Sequence, residues 1–193
     1  GRLRGASVLE LGCGLGLPGL LTHLLGARLA LLTDRALISA LVGEAIGCNG
    51  LPAEAVRAFE LDWAPGAAPP ILARHLGGSA AALEPVTSKR RRGLDRRGLH
   101  ARLATRAVAP TQEGADVILS CDCIFAGLFD AGFLLLDVLS EVASSATTIL
   151  LGFERRPGDD AERFFALAEQ RGFRTTLRTR CQRVIVCEMR LVR

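Results

Sequence analysis

The 193-residue chain has no tyrosine, one lysine, one tryptophan and one methionine. Its 24 basic residues are therefore 23 Arg and Lys89. Beside so much Ala, Gly and Leu, that bias reads as a skewed coding composition. No uninterrupted apolar run reaches the roughly 18 residues that suggest a membrane span, so no membrane partner is expected. No charged-then-apolar leader is present, so no signal peptide is read. The chain begins at Gly1 and not at Met, which reads as part of a longer protein. No sustained period runs through it, which excludes collagen-like, mucin-like and coiled-coil chains. His23, His75 and His100 are scattered, and with Cys121-x-Cys123 they make no metal-ligand spacing, so no metal is expected.

What is present is a globular composition, 49% hydrophobic and 23% charged, at a length that fits one domain. The six cysteines, Cys13, Cys48, Cys121, Cys123, Cys181 and Cys187, read as small buried hydrophobes, because four of them fall within or beside apolar strand segments. A chain this large needs no disulfide staples, so the thiols are expected reduced. The expected location is the cytoplasm, with the nucleus as a second one.

The net charge of +4 is uneven. Residues 85–110 hold eight Lys or Arg against Asp95, which is +7. The remainder carries 16 basic against 19 acidic groups, or −3. The chain thus reads as a mildly acidic domain, residues 1–193, with a basic insert at about 64–113 that is expected to be disordered. A short helix near 99–108 is the one periodic stretch in it. SKRRRGLDRR in that insert has the composition of a nuclear localisation signal or a nucleic-acid contact, but without interleaved aromatics ordered recognition of single strands is not expected.

Apolar runs at 7–12, 28–34, 55–63, 114–122 and 147–154 read as buried strands. Helical spacing lies between them, at 19–27, at 36–50 with an Asn49-Gly50 stop, and at 128–145. A last helix starts at Asp159 and Asp160 and closes at Arg171-Gly172. Residues 174–179 and 183–192 read as an antiparallel hairpin. Alternating strands and helices predict an α/β, Rossmann-like fold. Its sheet is mostly parallel, of seven strands, with helices on both faces and a terminal antiparallel hairpin.

The turn after the first strand is Glu10-Leu11-Gly12-Cys13-Gly14-Leu15-Gly16. Glycines there allow close approach of a ligand to the backbone. Gly14-x-Gly16-x-x-Gly19, with Asp34 some 20 residues on, also matches a dinucleotide fingerprint. The register favours S-adenosylmethionine. Glu10 would face an ammonium group and repel a pyrophosphate, and Asp34 would accept hydrogen bonds from two ribose hydroxyls. In open α/β sheets ligands bind beyond the carboxyl ends of the strands, which adds Asp62 for an adenine amino group and Trp63 to pack beside the ring. Asp122 follows the apolar VILSC run, a costly place for an unpaired charge. Glu154-Arg155-Arg156, beyond the fifth strand, reads equally as a substrate contact or as a salt-bridged surface turn.

VLELGCGLGLPG, LLTD, LDW, DVILSCDCIF and the later FF and GF pairs together resemble the seven-strand protein-lysine methyltransferase family of non-histone targets. Members modify elongation factors, chaperones, an AAA ATPase and calmodulin. The resemblance runs over residues 7–191 apart from the insert. It implies that Gly12, Cys13, Gly14 and Gly16 in the turn, with Asp34, Trp63 and Cys121, contact S-adenosylmethionine. It also implies that Asp122 to Phe125 line a lysine channel, Asp122 positioning the amine and Phe125 standing where the family has Tyr. The implied partner is a protein presenting a lysine, met by a monomer. A methyltransferase of small molecules or nucleic acid, or a non-catalytic relative, are the alternatives.

Overall fold

The computed structural model describes residues 3–76, 114–124 and 131–192. The basic run, the helix expected near 99–108, Phe125 and residues 128–130 of the expected helix lie outside them.

Five parallel strands come first in the sheet: β1 (Ser7–Leu11), β2 (Leu29–Asp34), β3 (Val56–Glu60), β4 (Val117–Cys121) and β5 (Thr148–Glu154). β6 (Phe173–Cys181) and β7 (Val184–Leu191) complete it in the order β3-β2-β1-β4-β5-β7-β6. Every residue of β1 is buried, as expected of a central strand covered on both faces. α1 (Leu17–Leu24), α2 (Ala36–Cys48), α3 (Ala68–Leu76), α4 (Ala131–Val142) and α5 (Ala161–Gln170) are the helices.

The two-residue link Gln182-Arg183 forces β6 and β7 antiparallel, with Gln182 in the left-handed region at φ 53°. β7 rather than β6 docks on β5, because Cys187, Met189 and Leu191 bring it an apolar face while β6 buries only Phe173. The exposed, Arg-rich β6 is left as the edge strand, where charge discourages further pairing.

The largest core cluster joins Leu9 and Leu11 of β1 to Leu135, Leu136 and Leu139 of α4 and Phe164 of α5. Each such fully buried side chain contributes about 1.5–3 kcal/mol. A second cluster, Ala30, Leu32, Val42, Ile46 and Val56, seats α2 on the opposite face.

Two expectations are corrected. Residues 68–76 are helix α3, not irregular insert. Pro69 and Pro70 sit in its first turn, where proline is tolerated, and Ala68 and Leu72 are buried. His75 stacks on Phe59 at 3.8 Å, and its carbonyl accepts from Arg57 Nη1 at 3.2 Å. A nine-residue helix opening on two prolines carries too little periodicity to read. α5 starts where expected, with Asp160 at its N-cap; the Ala161 N–H is accepted by Asp159 Oδ1 and not by the Asp160 side chain. Second, Cys13 and Cys187 are buried, but Cys48, Cys121 and Cys181 are exposed; all six are free thiols. Cys121 and Cys181 close their strands, where the chain leaves the core.

Candidate active site

The sheet order reverses between β1, which leads outward to β2 and β3, and β4, which starts the other half. That switch point opens a crevice at the carboxyl ends of the strands. The turn after β1, Asp34, the segment after β3 and residues 121–123 all end there.

Glu10 lies beneath the turn. It is 1% exposed, and its Oε2 accepts the Gly19 N–H at 2.9 Å. Gly19 is in the first turn of α1, whose N-cap Gly16 has no side chain to cap it. Glu10 thus supplies from β1 an acceptor for one of the free N–H groups of the helix N-terminus. Pro18 has no N–H to offer, so the helix has little left with which to hold a diphosphate. Burial pushes the Glu10 carboxyl up to about 7, against the opposing Gly19 hydrogen bond, and Asp34 adds to the rise. Its other oxygen, Oε1, is buried without a hydrogen-bond partner.

Cys13 holds the turn from within. Its N–H donates to Thr33 O at 2.9 Å, its carbonyl accepts from Gly16 N–H at 2.7 Å, and its side chain joins the α2 cluster. Burial pushes its thiol up to about 12. Asp34 ends β2 at the rim. Its Oδ2 accepts the Gly14 N–H at 2.9 Å and its Oδ1 the Arg35 N–H at 2.8 Å. Each oxygen keeps a lone pair that a ligand hydroxyl can use.

Trp63, Gly12 and Cys123 meet. Gly12 has φ +68°, and a Cβ there would lie 2.7 Å from Cys123 Sγ and 3.2 Å from Trp63 Cζ2. Only glycine lets the segments after β1, β3 and β4 converge at this point. Burial pushes the Cys123 thiol up to about 11, and its Sγ contacts the Cys121 carbonyl at 3.4 Å. Asp62 is exposed beside Trp63. Cys121 is exposed at the end of β4.

Asp122 extends the β4–β5 pairing by one bond, its N–H donating to Gly152 O at 2.7 Å. It does so at φ 58°, a left-handed conformation uncommon outside glycine, Asn and Asp. The backbone turns out of the sheet there and leaves the carboxylate half exposed at 48%. Arg156 grips it with both arms, Nη1 to Oδ1 at 2.9 Å and Nη2 to Oδ2 at 2.5 Å. That hydrogen-bonded pair holds the carboxyl below its ordinary value.

The crevice therefore brings together the glycine turn, Asp34, Trp63, Cys121 and Asp122, while Glu10 and Cys13 support it from below. Two features escaped the sequence reading. Arg156 was visible only as part of a charged triplet with two readings. Gly19 was visible as the third glycine of a dinucleotide spacing, without its role beside Glu10.

The family model described as lysine methyltransferase matches residues 1–76 and supports the family that the sequence resembles. No curated protein matches the chain. Several solved structures share the fold. A SAM-dependent methyltransferase from Aquifex aeolicus aligns over 100% of this chain and 85% of its own, with TM-score 0.59 and 14% identity. A TehB-like SAM-dependent methyltransferase from Corynebacterium glutamicum aligns over 97% of this chain and 81% of its own, with TM-score 0.58 and 16% identity. The ribosomal protein L11 methylase from Lactobacillus delbrueckii subsp. bulgaricus aligns over 98% and 72%, with TM-score 0.56 and 15% identity. At such identities the likeness is one of fold. The fold is that of the methyltransferases, and with the family match it supports an S-adenosylmethionine-dependent methyltransferase.

Proposed function

We propose that this chain binds S-adenosylmethionine and methylates a lysine of a non-histone protein. The observation that carries the reading is the match of residues 1–76, which hold the glycine turn, Asp34 and Trp63, to the lysine methyltransferase family. The residues present fit the cofactor. Asp34 has lone pairs for two ribose hydroxyls, and a Cβ at Gly14 would meet nothing within 4 Å, so the turn is open above. The N-terminus of α1 already holds Glu10, which suits a cationic ligand better than a diphosphate. Asp34 and the Gly12–Gly16 backbone would hold the nucleoside, with Trp63, Asp62 and Cys121 flanking it.

When bound, S-adenosylmethionine supplies an activated methyl group; the chain orients the acceptor. That acceptor must be a neutral amine, yet lysine titrates near ~10.4. Burial against the crevice lowers that value. Asp122 accepts a hydrogen bond from the amine and aims its lone pair, as a positioning carboxylate and not an obligate base. Phe125 would line the channel. The partner is a protein presenting a lysine to a monomer, in the cytoplasm or the nucleus; the basic run at 85–110 leaves a nucleic-acid contact open.

Isothermal titration with S-adenosylhomocysteine and with NAD is the first test, followed by methyl labelling of lysate proteins by wild type and Asp122→Ala. Binding of S-adenosylhomocysteine alone, with labelled lysine that Asp122→Ala reduces at least about tenfold, supports the reading. Label on another side chain or on nucleic acid overturns the substrate class, and binding of neither ligand overturns the enzyme.

A further inference from the structure

We propose that Arg156 is a positioning residue that acts through Asp122: by neutralising that carboxylate it makes the acceptor position favour the neutral amine over the ammonium ion. This rests on the lysine reading above. A free carboxylate beside a lysine stabilises the charged form and raises its pKa, opposite to what the chemistry needs. A carboxylate already paired in parallel with a guanidinium keeps lone pairs for an N–H but offers little net charge. The ammonium then gives its proton to solvent on entering, and the amine remains, held by Asp122.

Arg156 Nη2 also lies 3.2 Å from Glu154 Oε2, and Glu154 Oε1 lies 3.5 Å from Arg183 Nε. Among the described residues, the carboxylates of Asp122 and Glu154 thus stand against the guanidinium groups of Arg156 and Arg183. At the end of β4 and just beyond it, the Cys121 and Cys123 thiols are both pushed up, chiefly by loss of solvent around the sulfur. Glu10, on β1, lies behind the turn, and Arg155 is engaged by Asp159. Removing the Arg156 guanidinium leaves Asp122 as the uncompensated charge.

The turn that carries Arg156 is also held by bonds that do not involve its guanidinium. Asp159 accepts the Arg156 N–H at 2.9 Å and Arg155 Nε at 2.9 Å, and the Arg155 N–H donates to Arg183 O at 2.8 Å. As an exposed pair, Arg156–Asp122 adds little to stability. Its arrangement is explained better by charge control at the crevice than by holding the fold.

The test measures n-butylamine, which carries the primary amine of lysine, binding to the protein with and without S-adenosylhomocysteine between pH 7 and 10. Wild-type affinity is expected to rise with pH. Arg156→Gln is expected to bind the ammonium form at pH 7 about tenfold more tightly and to lose the rise, one pKa unit corresponding to tenfold. Arg156→Gln combined with Asp122→Asn is expected to undo this, and Arg156→Lys to retain most of the wild-type profile. In labelling of lysate protein, the acidic limb of the rate profile should move up by about one unit in Arg156→Gln. Amine affinity and pH limb unchanged in Arg156→Gln, while wild type labels lysine, overturn the inference and leave the lysine reading standing. A wild type that labels no lysine overturns that reading and the inference with it. Loss of S-adenosylhomocysteine binding in Arg156→Gln and Arg156→Lys alike shows a structural role and also overturns it.

Discussion

Gly19 N–H and Glu10 Oε2 are 2.9 Å apart, and a Cβ at position 19 would lie 2.5 Å from that oxygen and 2.8 Å from Leu32 Cγ. The first helix can sit on the sheet only because this residue has no side chain. Glu10 is buried and Leu32 is core, so neither has room to withdraw. Gly19→Ala is expected to destabilise the protein by about 1–3 kcal/mol, read as a lower urea midpoint at unchanged slope. An unchanged midpoint would mean that α1 shifts freely.

Glu10 also predicts how stability follows pH. Its carboxyl is raised from 4.5 to about 7 in the folded protein, so the folded state binds more protons than the unfolded chain between those values. The associated stability is full below about 4.5 and is lost as pH rises through about 7. Glu10→Gln keeps an acceptor for Gly19 and cannot ionise. Its stability relative to wild type should grow by roughly 3 kcal/mol between pH 4 and pH 8. Urea unfolding at the two pH values measures this, and a constant difference would contradict it.

Trp63 is the sole tryptophan and lies against Gly12. Its fluorescence therefore reports on the crevice without a label. S-adenosylhomocysteine should change it in a saturable way and NAD should not. Gly12→Ala forces a left-handed alanine into Trp63 and Cys123, at a cost of about 1–2 kcal/mol for the backbone alone. It should shift the emission before any ligand is added and weaken the ligand response.

Among the described residues Asp34 accepts from the N–H groups of Gly14 and Arg35, and it sits at the rim, so Asp34→Ala should leave the thermal midpoint nearly unchanged. If its oxygens take ribose hydroxyls, S-adenosylhomocysteine affinity falls at least about tenfold, as expected on losing charge-assisted hydrogen bonds. Calorimetry separates this from a general loss of structure.

The glycine turn was legible because three features coincide there. An apolar strand, alternate glycines and a helix with an early proline leave few other conformations. Asp34 and Asp122 were legible for a related reason: a charge closing an apolar run must lie where the strand leaves the core. α3 was not legible, because its stability comes from Ala68, Leu72 and the His75–Phe59 stack rather than from a repeated pattern. The exposure of Cys121 and Cys181 was not legible either, since a strand-ending cysteine has the same composition as a buried one.

By itself, the sequence determined the order of strands and helices apart from α3, the turn that faces a ligand and the acids that end β2 and follow β4. These depend on hydrophobic period and backbone freedom, which are properties of neighbouring residues. Tertiary structure alone decided that Glu10 caps α1 from beneath and that Trp63 reaches Gly12 from the segment after β3. It also decided that Arg156 closes on Asp122 across 34 residues of chain. Those contacts depend on how the helix packs on the sheet and on the order in which β3, β2, β1, β4 and β5 pair, which brings the strand ends together.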